Sequence, residues 1–199
     1  MKNILKLGIV LTLYATVACV GLAFVYSATE KIIAQRQEAD MEAALRELFP
    51  DADGFGPITE PIPSADPAIS FDSQYEVRQG DALAGVALRA SGPSYGGPVT
   101  ALVGVRGDGR ISGVKILEHA DTPGLGANAA SPSYFVNRAA GITFYGQFAG
   151  KSVSDPFEAK NDVAAITAST ITSRAVSRIV KVSGAAALGW MDKNRGGAQ

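Results

Sequence analysis

Cysteine and histidine are almost missing from this chain, which has one of each, Cys19 and His119, in 199 residues. A lone cysteine excludes an intrachain disulfide and any Cys-rich zinc or iron–sulfur centre built by this chain alone. A lone histidine argues equally against a His-rich metal site. An excess of either charge is missing too, because 18 Lys and Arg face 19 Asp and Glu. No basic field exists to hold a polynucleotide, and nucleic acid is not an expected partner. Any redox chemistry would need an organic cofactor or a centre held by a neighbouring chain.

What is present begins with an apolar run. Residues 7–26, LGIVLTLYATVACVGLAFVY, carry no charge, and twenty residues of helix cover roughly 30 Å of hydrocarbon. A cleaved signal peptide has an apolar core of only about 7–15 residues, so a retained transmembrane anchor is expected over residues 1–28. Cys19 then faces lipid or packs. Lys2 and Lys6 precede the run, and Lys31 and Arg36 follow it. With the amine inside, the rest of the chain lies on the outer, periplasmic side of the cytoplasmic membrane.

Ile32, Ile33, Leu45, Leu48 and Phe49 recur at helical spacing among charges, predicting an amphipathic stalk over 29–50 that Pro50 ends and that packs on its own domain. Residues 51–73 include Pro57, Pro61, Pro63 and Pro67 and read as a connector. The globular domain is expected at 74–192, with a flexible tail at 193–199. Within it, strand-like runs at 74–78, 82–90, 99–106 and 110–117, the last two joined by Gly107-Asp108-Gly109, predict an antiparallel sheet. Gly104 and Gly113 in two of those runs suggest close backbone approach or a bulge. A loop at 119–132, a short helix within 134–148 and a brief buried strand at 163–166 come next. The last element is a helix with Val176, Ile179 and Val180 inward, capped by Thr172 or Ser173 and stopping near Trp190. The fold class is therefore α+β.

Two segments carry candidate chemistry. Thr167, Ser169, Thr170, Thr172 and Ser173 crowd the start of the last helix. Such a cluster serves capping, but a helix amino terminus also favours phosphate, and a hydroxyl held there can accept one covalently. The loop Asp121-Thr122-Pro123-Gly124-Leu125-Gly126 is ordinary turn chemistry by composition, matching no Walker or dinucleotide-fold pattern. Its glycines also let backbone lie flat against a planar ring.

Together with the anchor, Tyr95-Gly96-Gly97, the block from Gly109 to Gly126 (GRISGVKILEHADTPGLG), the block from Gln147 to Ser152 and the block from Ile166 to Val176 (ITASTITSRAV), these segments resemble one family. It is the family of G subunits of the Rnf electron-transport complex; the C subunit of sodium-translocating NADH:quinone oxidoreductase is a more distant alternative. The resemblance covers nearly the whole chain, and its most specific element is His-x-acid-Thr-Pro-Gly-Leu-Gly. It implies an FMN-binding domain and FMN as cofactor, with other subunits of a membrane-bound, ion-translocating ferredoxin:NAD oxidoreductase as partners. The chain's role would be electron transfer without an active site of its own.

In this family a flavin transferase attaches FMN, as a phosphoester, to the threonine of a Ser-Gly-Ala-Thr motif. Thr170 occupies the acceptor position, and Thr172 is its rival. The resemblance further implies that Tyr95, Gly96, His119, Asp121, Thr122, Pro123, Gly124, Leu125 and Gly126 border the flavin ring. Thr167, Ala168, Ser169, Ile171 and Thr172 would surround the phosphate end. Three departures stand out. Asp121 replaces the usual glutamate, the motif reads Thr167-Ala168-Ser169-Thr170, and the usual aspartate upstream is Ala164. Asp162, two residues further back, substitutes for it only if the backbone bulges. A flavin-free anchor or FMN-binding accessory protein is the remaining alternative.

Overall fold

The computed structural model describes residues 2–195. The chain divides into two compact units, residues 1–43 and 44–199. In the first, helix α1 (Lys2–Leu48) contains an apolar stretch long enough to cross a membrane. Its side chains there are solvent-facing, as a lipid-facing helix requires.

The second unit opens with the end of α1 and is built on one five-stranded antiparallel meander, ordered β1-β2-β3-β4-β5. The strands are β1 (Gly54–Pro57), β2 (Ser70–Gln79), β3 (Ala82–Pro93), β4 (Pro98–Arg106) and β5 (Ile111–His119). Strict alternation on β3 and β4 sends Val86, Leu88, Ala90, Val99, Ala101, Val103 and Val105 to one face. Helix α2 (Thr170–Arg195) covers that face with Val176, Ile179, Val180, Ala187 and Met191, all fully buried. On the opposite face Leu48 and Phe49 pack where side chains are missing: a Cβ on Gly104 would lie 2.7 Å from the Phe49 ring and 3.1 Å from Leu48. The Ser112 hydroxyl donates to the Leu48 carbonyl and fixes this contact. The sheet thus receives the end of α1 in a glycine-lined trough. A bulge between Gly104 and Val105 accompanies it.

The strand and hairpin expectations agree with these elements, but several local ones do not. Residues 51–73 are no bare connector. β1 forms the sheet edge, where Pro57 can be tolerated, and Ile62 and Ile69 are buried in the core. Gln74 clamps Ile62, accepting its N–H at 2.7 Å and donating to its carbonyl at 3.0 Å. Between 134 and 148 lie two short strands, β6 (Phe135–Asn137) and β7 (Ile142–Thr143), and a 3-10 turn at Gly146–Phe148. At 163–166 only an isolated bridge, Ala159 to Val163, is present. The chain enters α2 one turn earlier than the expected cap. The Ser173 hydroxyl accepts from Ile166 N–H and donates to the Ser169 carbonyl, so it ties the upstream segment instead of capping. α2 also runs past Trp190, because the helix-forming Ala185 to Leu188 and the buried Met191 outweigh the cost of Gly184 and Gly189. Residues 193–195 are therefore helical, and the remainder of the expected tail lies outside the described residues.

Candidate functional site: a cavity at the amino end of α2

Three segments far apart in sequence converge where α2 begins. The β3–β4 loop brings Tyr95 and Gly96, the loop after β5 brings residues 121–126, and the run 164–169 leads into the helix. Between them lies a cavity of about 400 Å3, a size suited to a cofactor.

Asp121 ties two of these segments together. It is 5% exposed. Its carboxylate accepts from the Ser94 hydroxyl at 2.7 Å and the Gly96 N–H at 2.6 Å. Burial pushes the carboxyl up, but these bonds and the nearby His119 together outweigh it and leave the group below the usual carboxylate range. Gly126 closes the wall beside it. A Cβ there would lie 2.6 Å from both the Asp121 Cβ and the Thr172 Oγ1, so no larger residue fits. Gly124 differs: its φ of +77° is a turn requirement, and a Cβ on it would meet nothing.

The acceptor run is pinned along its backbone. The Gln147 side chain accepts from Ala164 N–H at 2.7 Å and donates to its carbonyl at 3.1 Å, in the manner of a neighbouring strand. Tyr134 Oη accepts from Thr167 N–H at 3.3 Å. Ala168 stands at φ +61°, in the left-handed region, at the position where the resembled motif has glycine.

The five hydroxyls at the helix start are not equivalent. Ser173 is consumed by Ile166 and Ser169, and Thr172, 2% exposed, is packed against Gly126. Ser169 is buried, while Thr167 is exposed and off the cavity wall. Thr170 is half-buried and faces the cavity, with no hydrogen-bond partner for its hydroxyl among the described residues. The amides of Thr170, Ile171 and Thr172 likewise have none there, which leaves the helix's positive end available to an anion.

Of the expected site residues, Tyr95, Asp121, Thr122, Leu125 and Gly126 line the cavity from one side, and Ala168, Ser169, Thr170, Ile171 and Thr172 from the other. Gly96 adjoins through its bond to Asp121. His119, Pro123, Gly124 and Thr167 are exposed and outside the lining. Ser94, Tyr134 and Gln147 support the site and were not singled out by sequence; only Gln147 lay in a motif block.

Comparison with known proteins defines the class. Residues 94–183, which contain every wall of the cavity, match the FMN-binding domain, and the cofactor is accordingly FMN. Residues 1–48 match the RnfG N-terminal region. The chain is 32% identical over 177 residues to the G subunit of the proton-translocating ferredoxin:NAD(+) oxidoreductase complex of Clostridium ljungdahlii, covering 86% of this chain and 84% of that one. It is 30% identical to the Na(+)-translocating counterpart of Acetobacterium woodii, over 92% and 90%. The G subunit of an ion-translocating oxidoreductase complex of Pseudomonas aeruginosa is 32% identical over 98% and 91%. The chain belongs to this family, the G subunits of the Rnf-type ion-translocating oxidoreductase complexes.

Proposed function

We propose that this chain relays electrons within a membrane-bound, ion-translocating ferredoxin:NAD oxidoreductase through FMN esterified to Thr170, with its domain on the outer side of the cytoplasmic membrane. The observation that carries the attachment is access: of the three hydroxyl residues that line the cavity, Ser169 and Thr172 are buried, and Thr170 alone is half-buried and open to it, with no hydrogen-bond partner among the described residues.

The residues present fit FMN. The free amides at the head of α2 suit its phosphate, and Tyr95, Leu125 and Ile171 offer apolar surface at the mouth for its ring. When bound, the cofactor supplies one- and two-electron redox chemistry, and this chain supplies position and electrostatics. Attachment by a flavin transferase uses FAD as donor. Thr170 Oγ1 bonds to the flavin-side phosphorus as the phosphoanhydride breaks, the hydroxyl proton is lost to the medium, and AMP leaves. Neighbouring subunits then give and take the electrons, and this chain needs no substrate pocket.

A flavin-free anchor is the rival reading. It is favoured by Ala164 in place of the motif aspartate and by the strained Ala168. The test is the full chain made with its transferase in membranes. Thr170→Ala should lose all denaturation-resistant flavin fluorescence while staying inserted and folded, since a hydroxyl at a helix start is worth only about 1 kcal/mol. A non-fluorescent parent chain under the same conditions would favour the anchor. Protease added to spheroplasts should remove the domain; protection there, with digestion in inverted vesicles, would reverse the sidedness.

A further inference from the structure

We propose that Ser173 is a positioning residue for flavin attachment: its hydroxyl clamps both ends of the turn 166–169 and holds Ala168 left-handed, so that Thr170 is presented to the cavity. This rests on the reading of Thr170 as the acceptor and extends it to what holds the acceptor ready.

The run into α2 makes a tight turn. Ser169 N–H donates to the Ile166 carbonyl at 3.0 Å, and between them Ala168 takes a φ of +61°. A four-residue turn with a left-handed third position is one that glycine adopts freely and alanine resists. Such a turn needs support from outside itself. Ser173 supplies it with one hydroxyl on a fully buried side chain, which accepts from Ile166 N–H at 2.9 Å and donates to the Ser169 carbonyl at 2.9 Å. The first and last residues of the turn are thereby joined through a single atom. Ser173 N–H also donates to the Ser169 carbonyl, at 3.0 Å, and so ties the turn to the helix backbone.

Thr170 follows the turn directly and is the first residue of α2. Its direction is set by where the turn delivers the chain, and it stands half-buried in the cavity wall. The step this prepares is attack of Thr170 Oγ1 on the flavin-side phosphorus of FAD, with AMP leaving and the hydroxyl proton passing to the medium. Ser173 takes no part in that bond change. Its hydroxyl is engaged by the turn as both donor and acceptor, and it is not among the residues lining the cavity. Without the clamp, Ile166 N–H loses its partner and Ala168 is free to leave the left-handed region, so a smaller fraction of chains presents Thr170.

The experiment measures the initial rate of flavin attachment to the full chain in membranes, with its transferase and FAD, by in-gel fluorescence, and locates the label by peptide mass mapping. Ser173→Ala should slow attachment about tenfold, the combined weight of the lost bonds and the resistance of alanine to the turn, with the label still on Thr170. Adding Ala168→Gly should bring the rate back to within about twofold of the parent, because glycine holds this turn unaided. Adding Gly189→Ala instead favours the same helix away from the turn, where a Cβ meets nothing, and should leave the rate low. A merely structural role would make any gain in stability restore the rate.

Parent-rate attachment in a folded Ser173→Ala chain overturns the inference while Thr170 stands as acceptor. So does a slowed rate that Ala168→Gly leaves unchanged or that Gly189→Ala restores equally well. A parent chain labelled elsewhere, or not at all, overturns the acceptor reading and this inference with it. Should Ser173→Ala not fold, as judged by protease resistance of the domain, Ser173→Cys is read in its place. The thiol occupies the same site but bonds only weakly, and it should slow attachment in the same direction by a smaller factor; a parent rate there would count against the proposal.

Discussion

Two aspartates, Asp121 and Asp162, each gather hydrogen bonds around a loop, and the contrast between them separates the site from its scaffold. Asp162 spends its carboxylate nearby. It accepts from Glu158 N–H at 2.6 Å, from Phe157 N–H at 3.2 Å and from Lys151 Nζ at 3.3 Å. It thus closes a loop on itself, with Phe157 and Lys160 in left-handed conformations. Asp121 instead joins the loop after β5 to the β3–β4 loop beside a cavity, with no Lys or Arg as partner among the described residues. The difference bears on the missing motif carboxylate. Asp162 is already committed to its own loop, so it is a poor stand-in for the aspartate that Ala164 replaces, and Gln147 holds residue 164 by its backbone instead.

The largest expected effect follows from that commitment. Asp162→Ala should lower unfolding stability by about 3 kcal/mol, since it strands two amides and leaves Lys151 Nζ only the residue 162 carbonyl, yet leave flavin on Thr170. Urea midpoints with in-gel fluorescence read both. Loss of flavin in a folded Asp162→Ala chain would erase the contrast and make Asp162 the recognition carboxylate.

Next in size is Gly126→Ala, which should cost about 2 kcal/mol by overpacking and cut covalent loading, because its Cβ would press on both Asp121 and Thr172. Gly124→Ala sits outside the wall and should cost about 1 kcal/mol for its positive φ without changing loading. Equal loading losses in the two variants would put both glycines on one footing.

Acid should probe the two carboxylates together. For each, burial raises the pKa and the accepted hydrogen bonds more than offset it, leaving a folded-state value below the unfolded one. Their contribution is then fully present above the unfolded value of about 4 and is lost as pH falls through the folded values. Thermal melts should be flat from neutrality to that point and decline below it, and Asp162→Ala should flatten the acid limb. The smallest effect expected is a gain: Ala168→Gly should relieve the left-handed strain and add about 1 kcal/mol, seen as a raised urea midpoint.

Most of the sheet was legible from sequence because β3 and β4 are near-continuous apolar runs and a Gly-Asp-Gly turn joins β4 to β5. The Pro-rich segment was not, because what holds it is remote: Gln74 clamps Ile62, and Arg178 pairs with Asp66 at 2.5 Å across 112 residues. Composition excluded a central strand there and was silent on an edge strand. The end of α2 was misread because glycine weakens a helix locally, whereas burial of Met191 acts through the core. At the site, motif resemblance pointed to both the loop and the hydroxyl run. It did not separate Gly124 from Gly126, since that distinction depends on which neighbour stands against each atom. Ser94 and Tyr134 carry no sequence signal at all, their roles resting on one hydrogen bond each.

The most direct measurement is peptide mass mapping of the tryptic segment between Lys160 and Arg174, taken from the chain produced with its flavin transferase. One FMN on Thr170, absent from Thr167, Ser169 and Thr172, is the expected result. FMN on Thr172, or none on a folded and inserted chain with the transferase active, would contradict it.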